Sequence, residues 1–279
     1  MRLLSILVIL GIIGYGGYWI NNNRPELKHK ALDLINTDSF HVLEARFTAK
    51  QIMEKARGSF NKDSVHYTEP SLKFYPYLLM DVKFVNANNK TEEGALLWDL
   101  KDGEMVIDVS TWNKSHGFAD CIKTRADHYE LSILKIIEKN KGKVNQHLLM
   151  NALGLEPNLF HVCIDHAKKK HLIIQQGQDY RIHLADSCFD VKPFTRVSSP
   201  LITTNCQSKH SERISCHYSP NEVIRIATAN FSDEHFAIRH AQSIWLPIYV
   251  IIVQKADGSH HTTYWNSING KPFRSHLIE

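Results

Sequence analysis

In the run Ser115-His116-Gly117-Phe118-Ala119-Asp120-Cys121, a thiol follows an imidazole by five residues. Those are the two side chains that nucleophilic catalysis pairs as attacking group and base. The run follows an apolar strand pattern that ends near Trp112 and reads first as a structured connector in which Phe118 packs. Cys206, His210, Cys216 and His217 offer zinc-binding side chain types, but their spacing matches no standard zinc site. His161, His166 and His171 are five apart, which turns each by about 140° from the last on a helix, so they do not converge on one metal ion. Lys141-Gly142-Lys143 lacks the upstream glycine of a phosphate loop, and neither a GxSxG elbow nor an HExxH helix occurs. The sequence therefore assigns no catalytic residue, no metal ligand and no cofactor, and it reads as non-enzymatic.

The elements around these residues are clearest in the middle of the chain. Leu131, Leu134 and Ile137 mark one helix, Val144, Leu148, Leu149 and Leu153 a second, and Phe160, Cys163, Ile164 and Ala167 a third after a turn at Gly154-Leu155. A hairpin follows through Leu172-Ile173-Ile174, Gly177 and Tyr180-Arg181-Ile182. Three helices closed by a hairpin wing over residues 128–184 resemble the winged-helix fold. That resemblance makes the outer face of the third helix, with Asn158, His161, Asp165, Lys168 and Lys169, the expected binding surface. Residues 127–185 carry eight lysines and arginines against six acids, and the third helix holds Asp165 and no arginine. Phosphate contacts need more cationic charge than that, so a protein partner is favoured over nucleic acid.

On either side of this region the chain repeats itself. Phe47, Ala56, Phe60, Pro76 and Val82 stand 171 residues ahead of Tyr218, Ala227, Phe231, Pro247 and Val253, and Trp98 and Gly103 stand 167 ahead of Trp265 and Gly270. Thr48 with Gln51, and Ser219 with Glu222, are capping-box pairs that open a helix. Asp102-Gly103, Asp257-Gly258 and Asn269-Gly270 are tight-turn signals, and Pro76 and Pro247 are expected at strand starts. Thr48 to Ala56 with Tyr77 to Glu104, and Ser219 to Ala227 with Ile248 to Lys271, resemble PepSY-type modules. That resemblance implies small α/β units that bind and restrain a partner.

At the amino end, Leu3 to Ile20 is uncharged and about 27 Å long as a helix, with Tyr15, Tyr18 and Trp19 at its far end. It is expected to be an uncleaved single-pass anchor; Arg2 lies on one flank and Arg24, Lys28 and Lys30 on the other, so charge does not orient it. Five cysteines with no CxxC pair argue against a disulfide framework. A net charge of +4 excludes a strong polyanion-binding footprint.

The expected architecture is α+β: an N-terminal transmembrane helix and two duplicated small helix-plus-antiparallel-sheet modules flanking a winged-helix domain. Its boundaries are anchor 1–22, stalk 23–45, first module 46–112, winged helix 127–185, linker 186–212 and second module 213–275. The expected function is a membrane-anchored, non-enzymatic protein-binding or assembly protein, held to the membrane by residues 3–20. The alternatives are a membrane-tethered winged-helix DNA-binding regulator and an envelope protease regulator of PepSY type.

Overall fold

Apolar side chains alternate along Ser71–Val85, sending Leu78, Met80, Val82 and Phe84 to one buried cluster and Tyr75 and Tyr77 to another. An unbroken apolar run whose successive side chains go to opposite faces is the signature of a strand buried on both sides. The computed structural model describes residues 39–59, 64–206, 212–232, 235–255 and 257–274.

In chain order the elements are β1 (Phe40–Leu43), α1 (Ala49–Ser59), β2 (Ser64–Tyr67), β3 (Ser71–Val85), β4 (Thr91–Asp99), β5 (Met105–Asp108) and β6 (Asn113–Lys114). The middle of the chain gives α2 (Phe118–Lys123), α3 (His128–Lys139), β7 (Lys143–Asn145), α4 (Gln146–Leu153), α5 (Pro157–Lys169), β8 (Ile173–Gln176) and β9 (Asp179–Ile182). The remainder gives β10 (Thr203–Cys206), β11 (Glu212–Arg213), α6 (Pro220–Asn230), β12 (Ala237–Lys255) and β13 (His260–Asn266). Ten strands form one mixed sheet in the order β10-β1-β12-β3-β4-β5-β6, with β11 beside β3 and with β2 and β13 beside β12. The β1–β12 and β11–β3 pairs are parallel, and β7-β9-β8 make a separate antiparallel sheet next to α3, α4 and α5.

This architecture corrects the expectation of two modules flanking a third domain. The two segments share one sheet, because β3 and β12 pair antiparallel along most of the length of β3. Alone, each helix-plus-hairpin unit would expose an edge of its longest strand, and pairing the two strands removes both edges. The register puts Tyr75 opposite Leu246, which lies 171 positions later, so equivalent positions meet near the Phe74–Pro247 end of the ladder. The helices are exchanged as well. Ile52 and Ala56 of α1 pack with Ile251, Val253 and Trp265 of the second segment. Val223, Ile226 and Ala227 of α6, with its C-cap Phe231, lie in the cluster that holds Met80, Val82 and Trp98 of the first. That same cluster runs without a break through α2 into α3, α4 and α5, so the middle unit shares the core rather than standing apart.

The reciprocity extends to the turns. The Arg46 and Phe47 amides donate to the Ser267 carbonyl, and the His217 and Tyr218 amides donate to the Leu100 carbonyl. A Cβ at Gly103 would lie 2.6 Å from the Tyr218 ring, and one at Gly270 would lie 3.0 Å from the Phe47 ring. Both capping boxes form, with Thr48 N–H donating to Gln51 Oε1 (2.9 Å) and Ser219 N–H to Glu222 Oε2 (2.8 Å). Pro76 and Pro247 lie inside their strands rather than at the starts. Each carbonyl faces away from the shared ladder, where it accepts from Leu100 (3.1 Å) or Ser267 (3.3 Å), so the missing N–H disturbs no β3–β12 bond.

Residues 186–212, expected as a linker, contribute β10, which pairs with β1, while Thr195 Oγ1 bonds the Val106 carbonyl and accepts from Leu97 N–H. No helix among the described residues is long and apolar enough to cross a membrane. The expected single-pass anchor is therefore no part of the architecture described, and Leu3 to Ile20, on which it rested, lies outside the described residues.

Candidate functional site

A cleft of about 590 Å3 opens where the first turn, α2, the start of the α6 capping box and the end of the described chain meet. Its positioning begins with Glu104, which leaves the Asp102-Gly103 turn pointing into the protein. One carboxylate oxygen accepts from the Gly117 and Ala119 amides (2.9 and 3.0 Å), and the other from the Ser115 hydroxyl (2.7 Å) and the Phe118 amide (3.3 Å). Glu104 thereby occupies the donors that the first turn of α2 leaves without helical partners. Burial still dominates its titration and raises the carboxyl to about 7, against the opposing pull of these bonds. Gly117, at φ 105°, meets the Phe189 ring so closely that a Cβ would lie 2.5 Å from it, which fixes the bend where the strand chain enters the helix.

Beside Glu104, the Lys114 ammonium is held by Asp99 (2.6 Å) and Asp102 (2.7 Å). Burial acts to lower the Lys114 pKa, but the two carboxylates more than offset it and leave it raised. Trp112, Tyr218 and Phe273 supply aromatic walls, with the Trp112 indole N–H donating to the Tyr77 hydroxyl (2.9 Å). Polar groups on the rim are His116, Asp120, Lys123, His217 and Arg274, and Asp120 and Lys123 pair at 3.5 Å. His116 is anchored through its backbone, whose carbonyl accepts from Cys188 N–H (2.8 Å). His217 is anchored by its amide bond to Leu100, and its ring stands edge-on to Tyr218. Two histidines from separate stretches of chain thus line one cleft.

No cysteine lines this cleft. Cys121, the expected partner of His116, points inward from α2 with Phe118 and Ile122, and burial pushes its thiol far up. Cys163 and Cys188 are raised by burial too, so none of the three favours the thiolate that attacks. None of the five cysteines forms a disulfide, and no group of three or more His, Cys, Asp or Glu among the described residues could hold a metal ion. His210 of the considered zinc set lies outside the described residues.

Asn158, His161, Asp165 and Lys169 are exposed on α5 and Lys168 is half-buried, none of them in the cleft. Lys168 is engaged by Asp165 (3.4 Å) and Gln175 (3.3 Å), and Leu159 and Val162 beside them are 42% and 51% exposed. Sequence reasoning gave no site role to Glu104, Lys114 or Tyr218 and weighed His217 only as a zinc ligand. An acid inside an apolar strand pattern was the legible sign of Glu104, whereas His217 carried no local sign beyond preceding a helix cap.

A family model for the Gill-associated viral 3C-like peptidase matches residues 103–236. No curated protein and no solved structure matches the chain. The likeness to a peptidase overturns the expectation of a non-enzymatic membrane-anchored binding protein, and with it both regulator alternatives. The matched span contains every residue lining the cleft except Asp102, Pro272, Phe273 and Arg274.

Proposed function

We propose that the protein hydrolyses peptide bonds in the cleft around α2, with His116 and His217 as the proton-transfer pair. The observation that carries this reading is the coincidence of the peptidase-like span with the cleft in which both imidazoles lie. With no cysteine in the cleft, water is the nucleophile. One imidazole takes a proton from water as it attacks the carbonyl, and the other delivers a proton to the departing amine. Lys123 and Arg274 provide positive charge for the developing oxyanion. Trp112, Tyr218 and Phe273 receive an apolar side chain of the substrate. The α5 face with Asn158, His161, Asp165, Lys168 and Lys169 contacts the rest of a protein substrate. The exposed Leu159 and Val162 suit a polypeptide better than a phosphate backbone.

The test is cleavage of a peptide library read by mass spectrometry. His116→Ala and His217→Ala should each lower the cleavage rate by about 100-fold or more with an unchanged unfolding midpoint, while Cys121→Ser retains activity. Absence of cleavage by the wild type, or full activity in both histidine variants, overturns the proposal.

A further inference from the structure

The two reciprocal turns carry opposite chemistry at equivalent positions. In the first, Asp99 Oδ1 accepts from the Lys101 and Asp102 amides (2.7 and 2.9 Å), which leaves Asp99 Oδ2 to meet Asp102 Oδ2 on the Lys114 ammonium. In the second, the corresponding residues are Asn266 and Asn269. Asn266 Oδ1 accepts from the Ile268 amide (2.8 Å) and Asn269 Oδ1 from the Lys271 amide (3.0 Å). Those bonds fix both amide orientations, so each NH2 group takes the place of a carboxylate Oδ2.

Both NH2 nitrogens are buried without a hydrogen-bond partner, and so is the Ser267 hydroxyl between them. Asn266 is 1% exposed and Ser267 fully buried. Orphaned donors at this depth are costly singly, and three within four residues form a set that calls for an acceptor. The Lys55 ammonium lies against the same turn, 2.6 Å from where a Gly270 Cβ would stand and 3.9 Å from the centre of the Phe47 ring. A cation beside these neutral donors makes burial of a negative charge tolerable.

We propose that the second turn is a binding site for one monatomic anion, a halide, coordinated by Asn266 Nδ2, Asn269 Nδ2 and the Ser267 hydroxyl with Lys55 as counter-charge. The scale follows from the first turn, where a single nitrogen atom touches both side chains at 2.6 and 2.7 Å. A single atom is therefore the occupant proposed, a halide sitting farther from each donor than the ammonium does from each carboxylate. The site would tie the second turn to α1 through Lys55, as Lys114 ties the first turn to β6.

Crystals of the full chain grown in sodium bromide, with data collected at the bromine absorption edge, locate the ion directly. The expected result is an anomalous peak within hydrogen-bond reach of both Asn Nδ2 atoms. In solution, the unfolding midpoint should be higher in sodium chloride than in sodium gluconate of equal ionic strength, rising with the logarithm of chloride concentration. Asn269→Asp, which places a carboxylate where the anion sits, should abolish that difference. A water molecule refined at the position without anomalous signal overturns the proposal, as do equal wild-type midpoints in the two salts. The crystallographic measurement needs no variant, so misfolding of Asn269→Asp leaves the proposal falsifiable.

Discussion

Replacing Glu104 by glutamine should change the pH dependence of stability by an amount the structure sets. The folded carboxyl titrates at about 7 against an ordinary 4.5. A raised carboxyl pKa means that the folded state holds the proton more tightly than the unfolded chain does. Its stabilising contribution is full below about pH 4.5, falls as pH rises, and is gone above about pH 7. At 1.36 kcal/mol per unit, the span comes to about 3 kcal/mol. Cys121, Cys188 and Tyr218 all feel this carboxylate, yet their own pKa values lie above the window, so they do not mask it. Glu104→Gln keeps an oxygen for the Gly117 or Ala119 amide, but its NH2 group then faces donors, so the variant should be less stable at every pH. Urea unfolding of both proteins at several pH values between 4.5 and 7.5 gives the difference. The wild type should lose about 3 kcal/mol more than the variant across that range. Equal pH slopes in the two proteins would refute the assignment of this titration to Glu104.

Trp98 and Trp265 are 0% and 3% exposed, and each packs in a cluster that includes a helix of the other segment. Trp98→Ala and Trp265→Ala should each cost about 3–5 kcal/mol. Both should shift one common transition in calorimetry rather than release one segment early. Gly103 sits at φ 80° with the Tyr218 ring in the path of any Cβ, so Gly103→Ala should cost about 1–3 kcal/mol of backbone strain or more. Urea unfolding checks it, and a neutral result would show that the turn relaxes freely.

What the sequence shows plainly here is local. Thr48 with Gln51 and Ser219 with Glu222 close their capping boxes because partners three residues apart meet whatever the rest of the chain does. The burial of both tryptophans follows from apolar strand patterns for the same reason. The choice of partner is not local: an alternating strand such as β3 reads the same whether it pairs only with its own hairpin or also with β12, so the shared sheet and exchanged helices left no trace in periodicity. Pro76 and Pro247 even point the wrong way, since only the three-dimensional ladder reveals that their carbonyls face outward. At the site, His116 and Cys121 look like partners by spacing, but the rotation of α2 turns Cys121 into the core with Phe118. His217, which does share the cleft with His116, arrives from about a hundred residues away.

The exchange of helices between segments also dictates an order of events as the chain is made. When Tyr75 leaves the ribosome, its strand partner Leu246 is still 171 residues from leaving it, a wait of about 10 to 30 seconds at typical elongation rates. Through that interval the apolar face of α1 has nothing to cover it, because Ile251, Val253 and Trp265 come later still. The helices α3 to α5, whose contacts are close in sequence, can settle while the flanking strands wait. Nascent chains stalled before about residue 250 should therefore bind chaperones through the first segment, and a truncated protein ending there should aggregate rather than yield a folded half.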